Sequence, residues 1–148
     1  MKHYIYLFVF LTTSTLSAQT LEYKMFTVVE SIVPNGLGRS RMISETETVD
    51  YKSATIQRTE DSKEKSKKKR SELRTNTFQE TKLLNFYNLG GIRFNNIATN
   101  DAMVTAKIND LASQGWELAF VNGGVESSGD KDPQGIFITR YIFKRVSE

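Results

Sequence analysis

Asn100-Asp101-Ala102-Met103-Val104-Thr105-Ala106-Lys107-Ile108-Asn109-Asp110-Leu111-Ala112-Ser113-Gln114-Gly115-Trp116-Glu117-Leu118-Ala119-Phe120-Val121 decides the fold, because two periodicities meet in it. Val104, Ile108, Leu111 and Ala112 follow the i, i+4, i+7, i+8 spacing of one apolar helix stripe, with Lys107, Asn109, Asp110 and Gln114 on the other side. Thr99 or Asn100 is the expected N-cap, Asp101 suits the positive end of the helix dipole, and Gly115 stands where a helix stops. After Gly115 the period changes to two. Trp116, Leu118 and Phe120 are expected on one face of a strand, Glu117, Ala119 and Val121 on the other. Trp116 reads as the largest anchor of the core rather than as a ligand-stacking residue.

Strands flank this unit on both sides. Leu21 through Val33 alternates apolar groups on both faces and ends in the turn Pro34-Asn35-Gly36-Leu37-Gly38. Arg39-Ser40-Arg41-Met42-Ile43 begins a return strand. Leu83, Leu84, Phe86, Tyr87 and Leu89 precede the turn Gly90-Gly91, after which Ile92-Arg93-Phe94 can pair back. Gly123-Gly124 and Ser127 to Gln134 read as a loop. Ile136 through Val146 is the last strand, again apolar on both faces. The predicted fold is α+β: an antiparallel sheet of four to five strands with one main helix packed on one face. One helix covers one face, so the second face must meet the 44–82 segment, a ligand or another copy, and a homodimer is the preferred expectation.

The helix–strand junction Ile108-Asn109-Asp110-Leu111-Ala112-Ser113-Gln114-Gly115-Trp116-Glu117-Leu118, with Tyr141-Ile142-Phe143-Lys144-Arg145 and the early Glu22-Tyr23-Lys24, resembles the bacterial family known as domain of unknown function 4177. The match covers residues 21–33 and 101–146, with a long insertion between them. The resemblance implies a compact helix-on-sheet domain. It supplies no activity, cofactor or catalytic residue.

The N-terminus reads as an export signal: Lys2 and His3, then an apolar run from Tyr4 through Leu11, then the small polar stretch Thr12 to Ala18. Cleavage is expected after Ala18, with Leu16 at the minus-three position. Spanning a bilayer takes about 20 apolar residues, far more than this run supplies. Residues 1–18 are therefore expected to be a signal peptide and residues 19–148 a single α+β domain, periplasmic or extracellular. The chain has no Cys, and its one His is in that leader. Without either residue there is no Ser-His-Asp triad, Cys nucleophile, imidazole base, disulfide or ordinary zinc site. The expectation leans away from an enzyme and includes no cofactor.

Residues 52–74 carry nine basic side chains against four acidic ones. The processed chain, having lost Lys2, holds 19 basic and 17 acidic residues, so +5 in this segment leaves about −3 elsewhere. With almost no large apolar residues, this charged insertion reads as a solvated hairpin tip, an exposed helix or a flexible insertion. Its Lys63–Arg74 run is a candidate polyanion grip, but it lacks interleaved aromatics for base stacking, and nucleic acid is not an expected partner.

The candidate binding residues are Arg39, Arg41 and Arg93. All three flank glycine turns and would form an anion site if those turns meet; otherwise they are solvent-facing arginines on a sheet edge. Asp130, Asp132, Gln134 and Gly135 match the start of a calcium loop, but Tyr141 stands where the bidentate Glu belongs, and no metal is expected. Glu117 and Glu126 are the pair to weigh for glycoside chemistry. The leading expectation is an exported, non-catalytic domain that binds a protein or envelope component through its second sheet face or its glycine–arginine turn. The alternatives are a small carboxylate-dependent hydrolase acting on glycans and a polyanion-binding module.

Overall fold

The structure, a computed structural model, describes residues 19–31, 40–60, 68–126 and 135–147. Its elements run β1 (Leu21–Ser31), β2 (Arg41–Glu45), β3 (Phe78–Lys82), β4 (Tyr87–Asn88), β5 (Gly91–Ile92), α1 (Phe94–Ser113), β6 (Glu117–Glu126) and β7 (Ile136–Val146). Five strands form one antiparallel sheet in the order β3-β2-β1-β7-β6, while β4 and β5 make a separate small hairpin. The fold is α+β, as the periodicities predict.

β1 and β7, apolar on both faces, occupy the middle of the sheet. That placement follows from their composition, since a strand with two apolar faces suits a position flanked on both edges. They pair over their whole length, from Leu21↔Val146 to Ser31↔Ile136. The pleat puts Phe26, Val28, Met42, Tyr141 and Phe143 on the face toward α1. There they meet Leu111, with Val104 and Ile108 packed alongside, while Leu83 and Trp116 complete the cluster. Phe143 and Phe26 are 0% and 1% exposed. The Phe26 ring stacks on Tyr141 at 4.6 Å and on Phe143 at 5.8 Å, pairings worth about 0.5–1.5 kcal/mol each beyond their buried area.

α1 begins at Phe94, six residues before Asn100, so neither Thr99 nor Asn100 is its cap. Asn100 is inside the helix and only 2% exposed. Its Oδ1 accepts from the Leu84 N–H at 2.8 Å, and its Nδ2 donates to the Leu84 carbonyl at 2.8 Å and to Glu30 Oε1 at 3.2 Å. The residue type that reads as a cap is used as a tertiary clamp. Ala112 is exposed, and the inward stripe is Asn100, Val104, Ile108 and Leu111, buried at Asn100 and Leu111 and half-buried between them. The C-terminus matches its signal. Gly115 sits at φ +83, its N–H donates to Ala112 O, and the Trp116 N–H reaches back to Leu111 O. These two bonds close the helix end as a Schellman motif, which favours glycine at that position.

Two other expectations are corrected. Gly123 and Gly124 belong to β6, not to a loop: they pair with Thr139 and Ile138. The strict alternation from Trp116 also breaks, because the register slips between Leu118, opposite Phe143, and Phe120, opposite Ile142. Ala119 is the extra residue of a bulge. Phe120 therefore turns to the outer face and Val121 to the helix side.

Trp116 is a core anchor, 6% exposed, with Lys24 Nζ at 4.9 Å and Arg145 Cζ at 4.4 Å from its ring centroid. Arg145 also donates to Glu22 at 2.9 Å, and this hydrogen bond holds the exposed Glu22 carboxyl below its usual range.

Tyr141 behaves oppositely. Burial, then the negative charges of Glu30 and Asp101, push its phenol above the usual 10. Folding thus favours the neutral phenol. The stability this contributes is complete below the unfolded value of about 10 and fades as pH rises through the higher folded value. Urea melts between pH 8 and 11 are expected to show wild type losing stability on this alkaline limb more steeply than Tyr141→Phe, which keeps the ring stack. Parallel limbs for the two proteins would contradict the assignment.

Candidate binding surface

The sheet face turned away from α1 is built by odd residues of β1 and β2, by even residues of β3 and β7 and, on β6, by Glu117 and then, past the bulge, Phe120, Asn122 and Gly124. Met25, Val29, Ile43, Ile138 and Ile142 are half-buried there, and Phe120 is 66% exposed. None of these belongs to the buried core cluster or the residues packed on it. The 44–82 segment, in its described residues, does not cover this face. It forms the connection between β2 and β3, and its described residues 46–60 and 68–77 are exposed apart from Ala54 and Ile56. The segment touches the face chiefly at one end, where Thr75 and Phe78 border a shallow depression of about 260 Å³ with Met25, Thr27, Ile43 and Glu45.

Arg140 stands in the middle of the face. It lies opposite Thr27 on β1 and Asn122 on β6, with Ile138 and Ile142 two residues away on either side along β7. It is exposed, and it makes no hydrogen bond or ion pair with any described residue. Of the three other cations on this face two are engaged: Arg41 Nε contacts Glu80 Oε1 at 2.7 Å and Lys144 Nζ lies 3.6 Å from Glu117, while Lys82 stands at the β3 edge opposite Arg41. Sequence reasoning misses Arg140 when the last strand is read for its apolar residues alone. The signal is there: with period two, Ile138-Thr139-Arg140-Tyr141-Ile142 puts one arginine between two isoleucines.

The three expected arginines are placed differently. Arg41 is committed to Glu80 and to the Ser40 carbonyl, at 2.8 Å. Arg93 precedes α1, exposed, with its N–H bonded to Phe86 O at 2.7 Å, which closes the β4–β5 hairpin around Gly91 at φ +92. Arg39 lies outside the described residues.

Glu117 and Glu126 occupy opposite ends of β6, nine residues or about 30 Å apart along the strand. Glycosidase carboxyls stand at most about 9.5 Å apart, so this pair cannot act together. On the helix side a groove of about 830 Å³ runs beside the C-terminal half of α1, lined among others by Lys24, Ser44, Thr46, Lys107, Asp110 and Gln114. Lys107 lies 3.8 Å from Asp110. Of the lysine-rich run, Lys68, Lys69, Arg70 and Arg74 are exposed, and 61–67 lie outside the described residues. The calcium-like residues Asp130, Asp132 and Gln134 also lie outside them.

A second polar cluster went unforeseen. Ser40, fully buried, accepts from the Ser31 N–H at 3.1 Å and donates from N–H and Oγ to Asn85 Oδ1 at 3.1 and 2.9 Å, while Asn96 Nδ2 donates to Asn85 O at 2.7 Å. Together with Asn100 it fixes the 83–86 segment between the sheet and α1. Its role is structural.

An antiparallel sheet backed by one helix, with an outer face that no other described element covers, defines the class of domain. No family model, curated protein or solved structure matches the chain. Among the described residues, no helix is long and apolar enough to cross a membrane.

Proposed function

We propose that the chain is exported and acts as a non-catalytic binding domain, docking a protein or cell-envelope partner on its outer sheet face. Arg140 is the observation that carries this reading. An arginine with no partner among the described residues stands between two isoleucines and near a two-thirds exposed phenylalanine; arginine is enriched among interface hot spots, and aromatics and arginine in interfaces generally. An interface core gains from such an anchor when the partner brings a carboxylate, because guanidinium–carboxylate pairs are bidentate and strengthen as water is excluded. The expected partner presents an acidic group within an apolar patch. Export is supported by the order of charge, apolar run and small residues up to Ala18.

The test places a benzoylphenylalanine photo-crosslinker at Phe120 and illuminates whole cells. The expected result is an adduct with a different protein or envelope component, reduced at least tenfold by Arg140→Glu. Equal adduct yields with and without the Arg140→Glu substitution would overturn the role given to the arginine.

A further inference from the structure

The two edges of the sheet are unlike each other. β3 is short, and its five residues, Phe78-Gln79-Glu80-Thr81-Lys82, include two charges. That is how a sheet edge is ordinarily protected against pairing. β6, at the other edge, has ten residues and no charge between Glu117 and Glu126. The bulge at Ala119 disturbs only its beginning, and from Phe120 to Glu126 it pairs with β7 without interruption. No described strand pairs with its far side. Its exposed apolar residues are Leu118, Val121 and Val125 toward the helix side and Phe120 outward, where Asn122 and Gly124 follow.

From this geometry we infer that β6 pairs antiparallel with β6 of a second copy, joining two five-stranded sheets into one of ten strands. Charge is compatible with a second copy. Glu117 is balanced by Lys144 at 3.6 Å, no charge lies between Glu117 and Glu126, and antiparallel pairing keeps the two copies' Glu126 positions at opposite ends of the seam. Symmetry narrows the register. Facing residues must lie on the same side of the continuous sheet, and a twofold axis at Gly123 sets Val121 opposite Val125 of the second copy, twice. The area sets the strength. The exposed parts of Leu118, Phe120, Val121 and Val125 amount to roughly 400 Å² per copy, so the pair buries less than the ~1,200 Å² of a standard stable interface. The dimer is therefore weak and dependent on concentration. It does not involve Arg140 but shares Phe120 with the proposed binding face, so Val121→Lys and Arg140→Glu are what tell its failure from that of the binding role.

Sedimentation of the processed chain up to about 1 mM tests the pairing directly. The expected result is a monomer–dimer equilibrium that Val121→Lys weakens at least tenfold, with Thr81→Lys on the β3 edge and Arg140→Glu leaving it unchanged. Val121 is exposed, so unchanged circular dichroism is expected to show that Val121→Lys still folds. The absence of native cysteine gives a second readout. A Cβ at Gly123 meets nothing nearer than Thr139 Oγ1 at 3.8 Å, so Gly123→Cys fits and would face its own copy within disulfide reach. Rapid oxidation of Gly123→Cys to a covalent dimer, with Thr81→Cys staying monomeric, supports the pairing. A monomer at every concentration, or a dimer indifferent to Val121→Lys, overturns it.

Discussion

Phe143→Ala is expected to destabilise the fold by about 3–5 kcal/mol, among the largest effects of a single truncation at the described residues. Phe143 is fully enclosed on the central strand β7, opposite Lys24 on β1 and Leu118 on β6, with the Phe26 ring 5.8 Å away. Removing the ring loses its transfer free energy and leaves a cavity that two flanking strands and α1 hold open. Domains of this size are stable by only about 5–15 kcal/mol, so urea unfolding should show a midpoint shifted far down, or no folded baseline at all. Phe143→Leu, which keeps most of the volume, is expected to cost about 1–1.5 kcal/mol. A loss below about 1 kcal/mol for the alanine variant, under the usual range for such truncations, would mean that the core is centred elsewhere.

Asn100→Ala ranks second, at about 2–4 kcal/mol, through a different mechanism: an unsatisfied buried group costs more than an average hydrogen bond contributes. The deleted amide satisfies both backbone groups of Leu84 and also reaches Glu30. Its loss leaves a donor and acceptors without their partner near the base of the helix. The damage should be local as well as global. Hydrogen exchange at residues 83–86 is expected to accelerate ahead of the sheet, because Asn100 and Asn85 are what fasten that segment. Asn100→Asp keeps the acceptor, removes the donors and sets a carboxylate against Glu30, so it should be no milder than alanine. Normal protection at 83–86 in Asn100→Ala would sink the clamp.

These two sites mark how far the sequence can be read. Phe143 is legible: a strand apolar on both faces belongs in the middle of a sheet, and β7 occupies that place over the predicted span, Ile136–Val146. Gly115 is legible too, because only local backbone geometry decides a helix stop. Asn100 misleads for an equally physical reason. Asn is a strong cap and a poor helix former, and only long-range hydrogen bonds to Leu84 and Glu30 reverse that preference. Gly123-Gly124 carries a turn signal that strand pairing with β7 overrides. Phe120 changes face because one bulge residue shifts every later side chain.

The candidate binding surface is half legible. Both-face apolarity of β1 and β7 announces an outer face that one helix does not cover. The choice of arginine depends on spatial proximity, which spacing does not encode: Arg41 is taken by Glu80, 39 residues away in sequence, while Arg140 in the centre of the face pairs with no described residue.

Carbene footprinting of the protein in its native envelope fraction, compared with the purified chain, tests most directly whether that face is where the protein works. Protection of Met25, Ile138 and Ile142 in the native fraction, with Leu89 and Phe94 on the β4–β5 and α1 side labelled equally in both samples, is the result this account predicts. Unchanged labelling of the outer face, together with protection on the helix side, would contradict it.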